Sequence, residues 1–130
     1  MARSSKVFKI REMMPADRGP GLKRMPLVTK ECGSQHLTTG MTEFQPGASL
    51  ALHTHECEEQ ITILEGEAIA VIDGVEYQLT APDTTFVSPG IVHRFINRSS
   101  KPMKILWIYA STHVTRTFVE SGETENQLQK

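Results

Sequence analysis

Residues 47–66 read GASLALHTHECEEQITILEG, and the spacing of the charged and titratable side chains in this stretch decides the fold. On an extended strand, side chains two residues apart project to the same face, so the imidazoles of His53 and His55 can reach one metal ion. On a helix the same pair would stand about 200° apart and splay. Glu59, four residues past His55, keeps the strand parity and adds a carboxylate oxygen. A helix over residues 48–65, uninterrupted by Gly or Pro, would also bring His55 and Glu59 to one face. The β-branched run Ile61-Thr62-Ile63 and the turn signals at strand spacing favour strands instead.

With Gly47 and Gly66 at the ends, the stretch spells G-x5-H-x-H-x3-E-x6-G. Further on, residues 90–97 read GIVHRFIN, placing His93 three residues after Gly90 and Asn97 four residues after His93. The first pattern resembles the opening motif of the cupin superfamily. The second is similar to that family's G-x5-P-x-G-x2-H-x3-N, with two departures: Pro82 stands at the opening glycine, and proline directly precedes Gly90 in Ser88-Pro89-Gly90. Pro-Gly still suits the centre of a type II turn, because proline fixes φ at the first position and glycine accepts positive φ at the second. The resemblance spans roughly residues 47 to 97. It implies an all-β fold, a double-stranded β-helix or jelly-roll barrel, with His53, His55, Glu59 and His93 as metal ligands.

The flanking sequence agrees with an all-β reading. Short runs at Leu37–Phe44, Ser49–His55, Gln60–Leu64, Glu67–Ile72, Val75–Leu79, Thr84–Val87, Val92–Asn97 and Met103–Tyr109 predict about eight strands, the pattern of a sandwich or small barrel. Asp73-Gly74 predicts a tight hairpin between the fourth and fifth. Pro15, Gly19, Pro20, Gly21 and Pro26 break any long helix near the start. The expected organisation is an extended arm over residues 1–32, a barrel over 33–119 and a polar tail over 120–130. At 130 residues there is room for one domain and no second module.

Charge and composition narrow the function. Fourteen basic against fifteen acidic residues give a formal charge of −1 with no basic block, which argues against a nucleic-acid partner. The apolar runs 68–72 and 105–110 are too short to span a membrane, and the first residues carry no apolar signal-peptide core. A cytoplasmic protein with no membrane partner is expected. Cys32 and Cys57 could form at most one bridge, so reduced thiols are expected.

Neutral imidazoles with one carboxylate suit Fe, Mn, Ni, Co, Cu or Zn better than calcium or magnesium. Four protein donors leave two positions on a six-coordinate ion, and open positions distinguish a catalytic site from a structural one. Glu58, Gln60 and Cys57 are competing donors; parity and the motif favour Glu59. Ile105, Trp107 and Tyr109 alternate with Leu106 and Ile108, so that strand is apolar on both faces. If Trp107 and Tyr109 face inward, Tyr109 becomes a proton donor beside the metal and joins Glu59 as a catalytic candidate; ordinary core packing is the competing role. Arg94 and Arg116 could meet an anionic substrate or simply be solvated, and Asn97 could hold a loop. Together with these features, the resemblance to cupins implies a metal-dependent enzyme for a small-molecule substrate, of dioxygenase, isomerase, lyase or cyclase type. The alternative is a non-catalytic metabolite-binding or sensor protein. The two-faced apolar strand and the arm predict a homodimer.

Overall fold

The computed structural model describes residues 5–127. Twelve strands run in chain order: β1 (Ala16–Asp17), β2 (Leu22–Pro26), β3 (Thr38–Phe44), β4 (His53–Thr54), β5 (Glu59–Glu65), β6 (Glu67–Ile72), β7 (Val75–Thr80), β8 (Thr84–Val87), β9 (His93–Ile96), β10 (Met103–Tyr109), β11 (Thr115–Phe118) and β12 (Thr124–Asn126). They form two six-stranded sheets, β1-β2-β3-β10-β5-β8 and β12-β11-β4-β9-β6-β7, with antiparallel pairing throughout. Because β4 and β5 lie in different sheets, as do β8 and β9, the chain crosses repeatedly between the layers. This is the jelly-roll arrangement expected from the sequence. The helical alternative over residues 48–65 is excluded: β4 and β5 occupy that segment.

Strand alternation builds the core. β3 and β10 bury every second residue along their length, as a half-buried pleated strand must. Phe44, Ile61, Ile63, Met103, Ile105 and Trp107 from the first sheet meet Ala68, Ala70 and Phe95 from the second. The other face of β10 carries Leu106 and Ile108, only partly covered; Leu106 lies opposite Met41, which in turn lies opposite Met25. Between β5 and β10 the register shifts at Lys104/Ile105, and Leu64 is left outward and exposed.

Two glycines of the motifs have visible backbone roles. Gly66 has φ +83°, and a Cβ there would stand 2.6 Å from the Pro102 carbonyl, so no side chain fits. Gly90, with φ +82°, completes the turn closed by Ile91 N–H donating to the Ser88 carbonyl, the geometry expected for Pro89-Gly90. The Gly90 N–H also donates to the His55 carbonyl at 2.9 Å. The turn of the second motif therefore clamps the histidine loop of the first.

The expected strands match the observed ones closely, with one exception and four additions. Ser49–His55 shrinks to His53–Thr54 plus a single bridge, Ser49 to Ile96. Over this run the chain changes partners, Leu50 N–H donating to Phe95 and the Leu52 carbonyl accepting from Val119, so no regular ladder forms. The additions come from the flanks. β2 pairs with β3 along five residues, covering backbone groups that would otherwise form an open edge. β11 pairs with both β4 and β12. Thus strands from both flanking segments, before residue 33 and after residue 119, belong to the two sheets.

Candidate metal centre

His53 in β4 lies directly opposite His93 in β9, so two imidazoles share one face of the second sheet as a cross-strand pair. His55 follows the end of β4 and turns its ring to the same point. The ring centroids lie 4.7 Å (His53–His55), 4.4 Å (His53–His93) and 5.2 Å (His55–His93) apart. One ring nitrogen from each histidine falls within 4.8 Å of the other two. All three side chains are buried, at 3%, 5% and 1% exposure.

The outer nitrogens fix which atoms face inward. Nδ1 of His53, His55 and His93 lies 2.7, 2.8 and 2.9 Å from the carbonyl oxygens of Ala51, Thr115 and Ile91. A carbonyl can only accept, so each Nδ1 carries the proton and each Nε2 turns to the cluster. This is the second-layer pattern that orients metal-binding imidazoles. Burial, followed by the neighbouring His93 and His55, lowers the His53 pKa to about 2. Burial likewise lowers that of His55, against the opposing pull of Glu59. Both are neutral rings with a lone pair on Nε2. The donor set therefore fits a borderline divalent transition metal.

Glu59 arrives from the other sheet. As the first residue of β5 it places Oε1 3.0 Å from His93 Nε2 and 3.7 Å from His55 Nε2, with 3% of its surface exposed. Burial lowers the His93 pKa, but the hydrogen bond and charge of Glu59 outweigh it and the net shift is upward. The cluster is thus brought together by a different route from the one strand parity predicts. His55 lies just beyond β4, residues 55–58 cross between the sheets, and Glu59 opens a second strand. His93 is the cross-strand neighbour of His53, and Glu59 is the residue that reaches across.

Tyr109, the last residue of β10, pairs with Glu59 and places its hydroxyl 3.4 Å from His55 Nε2. Burial, then the charge of Glu59, raises its pKa well above the ordinary phenol value, so the hydroxyl keeps its proton. Trp107 also faces inward, its Nε1–H donating to Thr42 Oγ1 at 2.9 Å. Both rings line a cavity of about 510 Å³ between the sheets, together with His53, Glu59, His93 and Phe95.

The remaining candidates separate cleanly. Asn97 is fully buried and donates to the carbonyls of Phe44 (3.1 Å) and Lys101 (2.8 Å), while its oxygen accepts from Ser99; it holds the loop before β10. Cys57 packs against the core, and burial, then Glu59 and Glu56, raises its thiol pKa. No disulfide joins it to Cys32. Glu58 and Gln60 are exposed, whereas Glu59 is buried. Arg116 lines the cavity and pairs with Glu125 at 3.0 Å; Arg94 does not line it. Among the described residues, no helix is long and apolar enough to cross a membrane.

Arg18 and Arg24 also line the cavity, and sequence reasoning overlooked both. The signal lay in Leu22-Lys23-Arg24-Met25, an alternating run masked by the surrounding Gly and Pro. Once it is a strand, Leu22 and Arg24 must share the inner face.

Residues 40–109, more than half of the chain, match the family described as Cupin domain. The chain is 28% identical over 94 residues to tetracenomycin polyketide synthase protein TcmJ of Streptomyces glaucescens, covering 72% of this chain and 63% of that one. It is 36% identical over 76 residues to the HTH-type transcriptional regulator PuuR of Escherichia coli (strain K12), covering 58% of this chain. The match thus spans less than two thirds of TcmJ and only 39% of PuuR. Among solved structures, the polyketide cyclase RemF from Streptomyces resistomycificus superposes with a TM-score of 0.76 at 20% identity, over 98% of this chain and 88% of that one. The jelly roll, the two motifs with their clustered histidines and the family match agree: this chain belongs to the cupin family.

Proposed function

We propose that this chain is a metal-dependent enzyme in which His53, His55, Glu59 and His93 hold one divalent transition metal ion beside a small organic substrate. The observation that carries the reading is the set of three buried imidazoles, each anchored through Nδ1 to a backbone carbonyl, with Nε2 turned toward one point. When bound, the ion supplies a Lewis acid or an oxygen-activating centre. The protein supplies the rest. Glu59 brings one negative charge to a largely neutral donor set. Tyr109 holds its phenolic proton at the cavity wall, 3.4 Å from His55 Nε2, where it can be given to a developing oxyanion. Leu22, Ile61, Phe95, Ile105, Trp107 and Phe118 form apolar walls that exclude water and suit a ring-sized body. Within the reaction types open to such a centre, the similarities to TcmJ and RemF support a cyclase-type reaction on an aromatic or polyketide-like molecule.

The second reading is a ligand-binding sensor, supported by the 36% identity to part of the transcriptional regulator PuuR. A substrate screen with metal-loaded and chelator-treated protein, in air and under nitrogen, separates the two. Conversion that chelation abolishes supports the enzyme. Equal conversion in every condition removes the metal from the mechanism, and tight binding without product supports the sensor. The proposed assembly is a homodimer formed by the partly covered outer face of β10.

A further inference from the structure

The cavity also carries a cluster of arginines, and its chemistry is unlike that of the histidines. Arg24 on β2 is 6% exposed, yet its Nε has no hydrogen-bond partner, and among the described residues no carboxylate lies within ion-pair distance of its guanidinium. Arg18, just after β1, and Arg116 on β11 also line the cavity, each with a buried Nε lacking a partner. Arg116 is half-satisfied: one terminal nitrogen pairs with Glu125 at 3.0 Å, and its guanidinium lies 5.0 Å from the centre of the Phe118 ring. Burial, then the charges of Arg18 and Arg116, lowers the Arg24 pKa to about 10, which leaves it a cation at neutral pH. A buried, unpaired guanidinium is costly, and cationic neighbours add to that cost. The buried Gln127 amide oxygen, also unpartnered, lines the same cavity.

We propose that Arg24, with Arg18 and Arg116, forms an anion subsite that binds the carboxylate of an aromatic acid whose ring lies between Trp107 and Phe118. A planar carboxylate matches the guanidinium fork and compensates the unpaired charge. The apolar walls of the same cavity accept a ring, so a bare inorganic anion would leave them unfilled. The inference rests on the proposed function only in taking this cavity as the substrate's. The arginine subsite itself needs no metal.

Trp107 is the single tryptophan of the chain and lines the cavity, so its fluorescence reports occupancy. The test titrates chelator-treated protein with 1-naphthoate, the neutral 1-naphthamide, 1-naphthylphosphonate and inorganic phosphate. Naphthoate is expected to bind and naphthamide to bind at least about tenfold more weakly, since the charge-assisted contact is lost. Arg24→Met should weaken naphthoate roughly ten- to hundredfold, with partial recovery in Arg24→Lys. Equal affinity for naphthoate and naphthamide overturns the proposal, as does unchanged naphthoate binding by folded Arg24→Met. Binding of phosphate or the phosphonate without naphthoate overturns the carboxylate assignment. The acid-amide comparison uses the unaltered protein and decides even if Arg24→Met fails to fold. Naphthoate binding alongside a protein that takes up no metal would sink the proposed enzyme while leaving the subsite intact.

Discussion

Oε1 of Glu59 lies 3.0 Å from Nε2 of His93, and this contact joins the two sheets at the candidate metal centre. The carboxylate thus stands beside the imidazole cluster although its strand belongs to the opposite layer. Glu59→Gln keeps an oxygen donor and removes the charge. The expected result is retained metal binding, weakened by roughly tenfold or more, measured by competition with a chromogenic chelator. Unchanged affinity would place Glu59 outside the ligand set.

Tyr109→Phe removes one hydroxyl from a buried ring and leaves its packing nearly unchanged. Stability should shift by less than about 1.5 kcal/mol, and metal content should stay the same. Once a substrate is identified, kcat should fall about 100-fold if the phenol is the proton donor. A fully active variant would assign the ring to packing alone.

Gly40 lies opposite Trp107 in the β3–β10 ladder. A Cβ added there would collide with Cη2 and Cζ2 of that ring and stand 2.8 Å from the Met25 carbonyl. Gly40→Ala should therefore destabilise the protein by about 1–3 kcal/mol, read from the urea midpoint, and should change the native Trp107 fluorescence. Wild-type stability with an unaltered spectrum would count against this packing.

Leu106 and Ile108 leave the outer face of β10 partly exposed, with Met41 in register beside them. Light scattering at micromolar concentration should report a homodimer, and Leu106→Glu should shift it toward monomer while leaving metal content unaltered. A monomeric wild-type protein would contradict the proposed interface.

Much of this architecture was legible because its residues announce their backbone roles. Ile61-Thr62-Ile63 identifies β5, Asp73-Gly74 lies between β6 and β7, and Pro89-Gly90 makes its turn. The spacing of His53, His55 and His93 named the histidine cluster in advance. What pattern could not supply was the path of the chain between the layers. Parity put Glu59 on the face of His53 and His55 but not in another layer: the chain leaves β4 after Thr54 and enters a strand of the other sheet at Glu59. The arginine cluster was hidden for a related reason. β2 is five residues long, ends in Pro26 and is a strand because β3 needs a neighbour, so its alternation was too short to stand out.

The most direct test of the account is metal content, measured by mass spectrometry on untagged protein, for the wild type and a His53→Ala, His93→Ala double variant. The account predicts one transition-metal ion per wild-type chain and almost none in the variant, with far-ultraviolet circular dichroism showing that the β fold persists. Full metal stoichiometry in a folded double variant would contradict it.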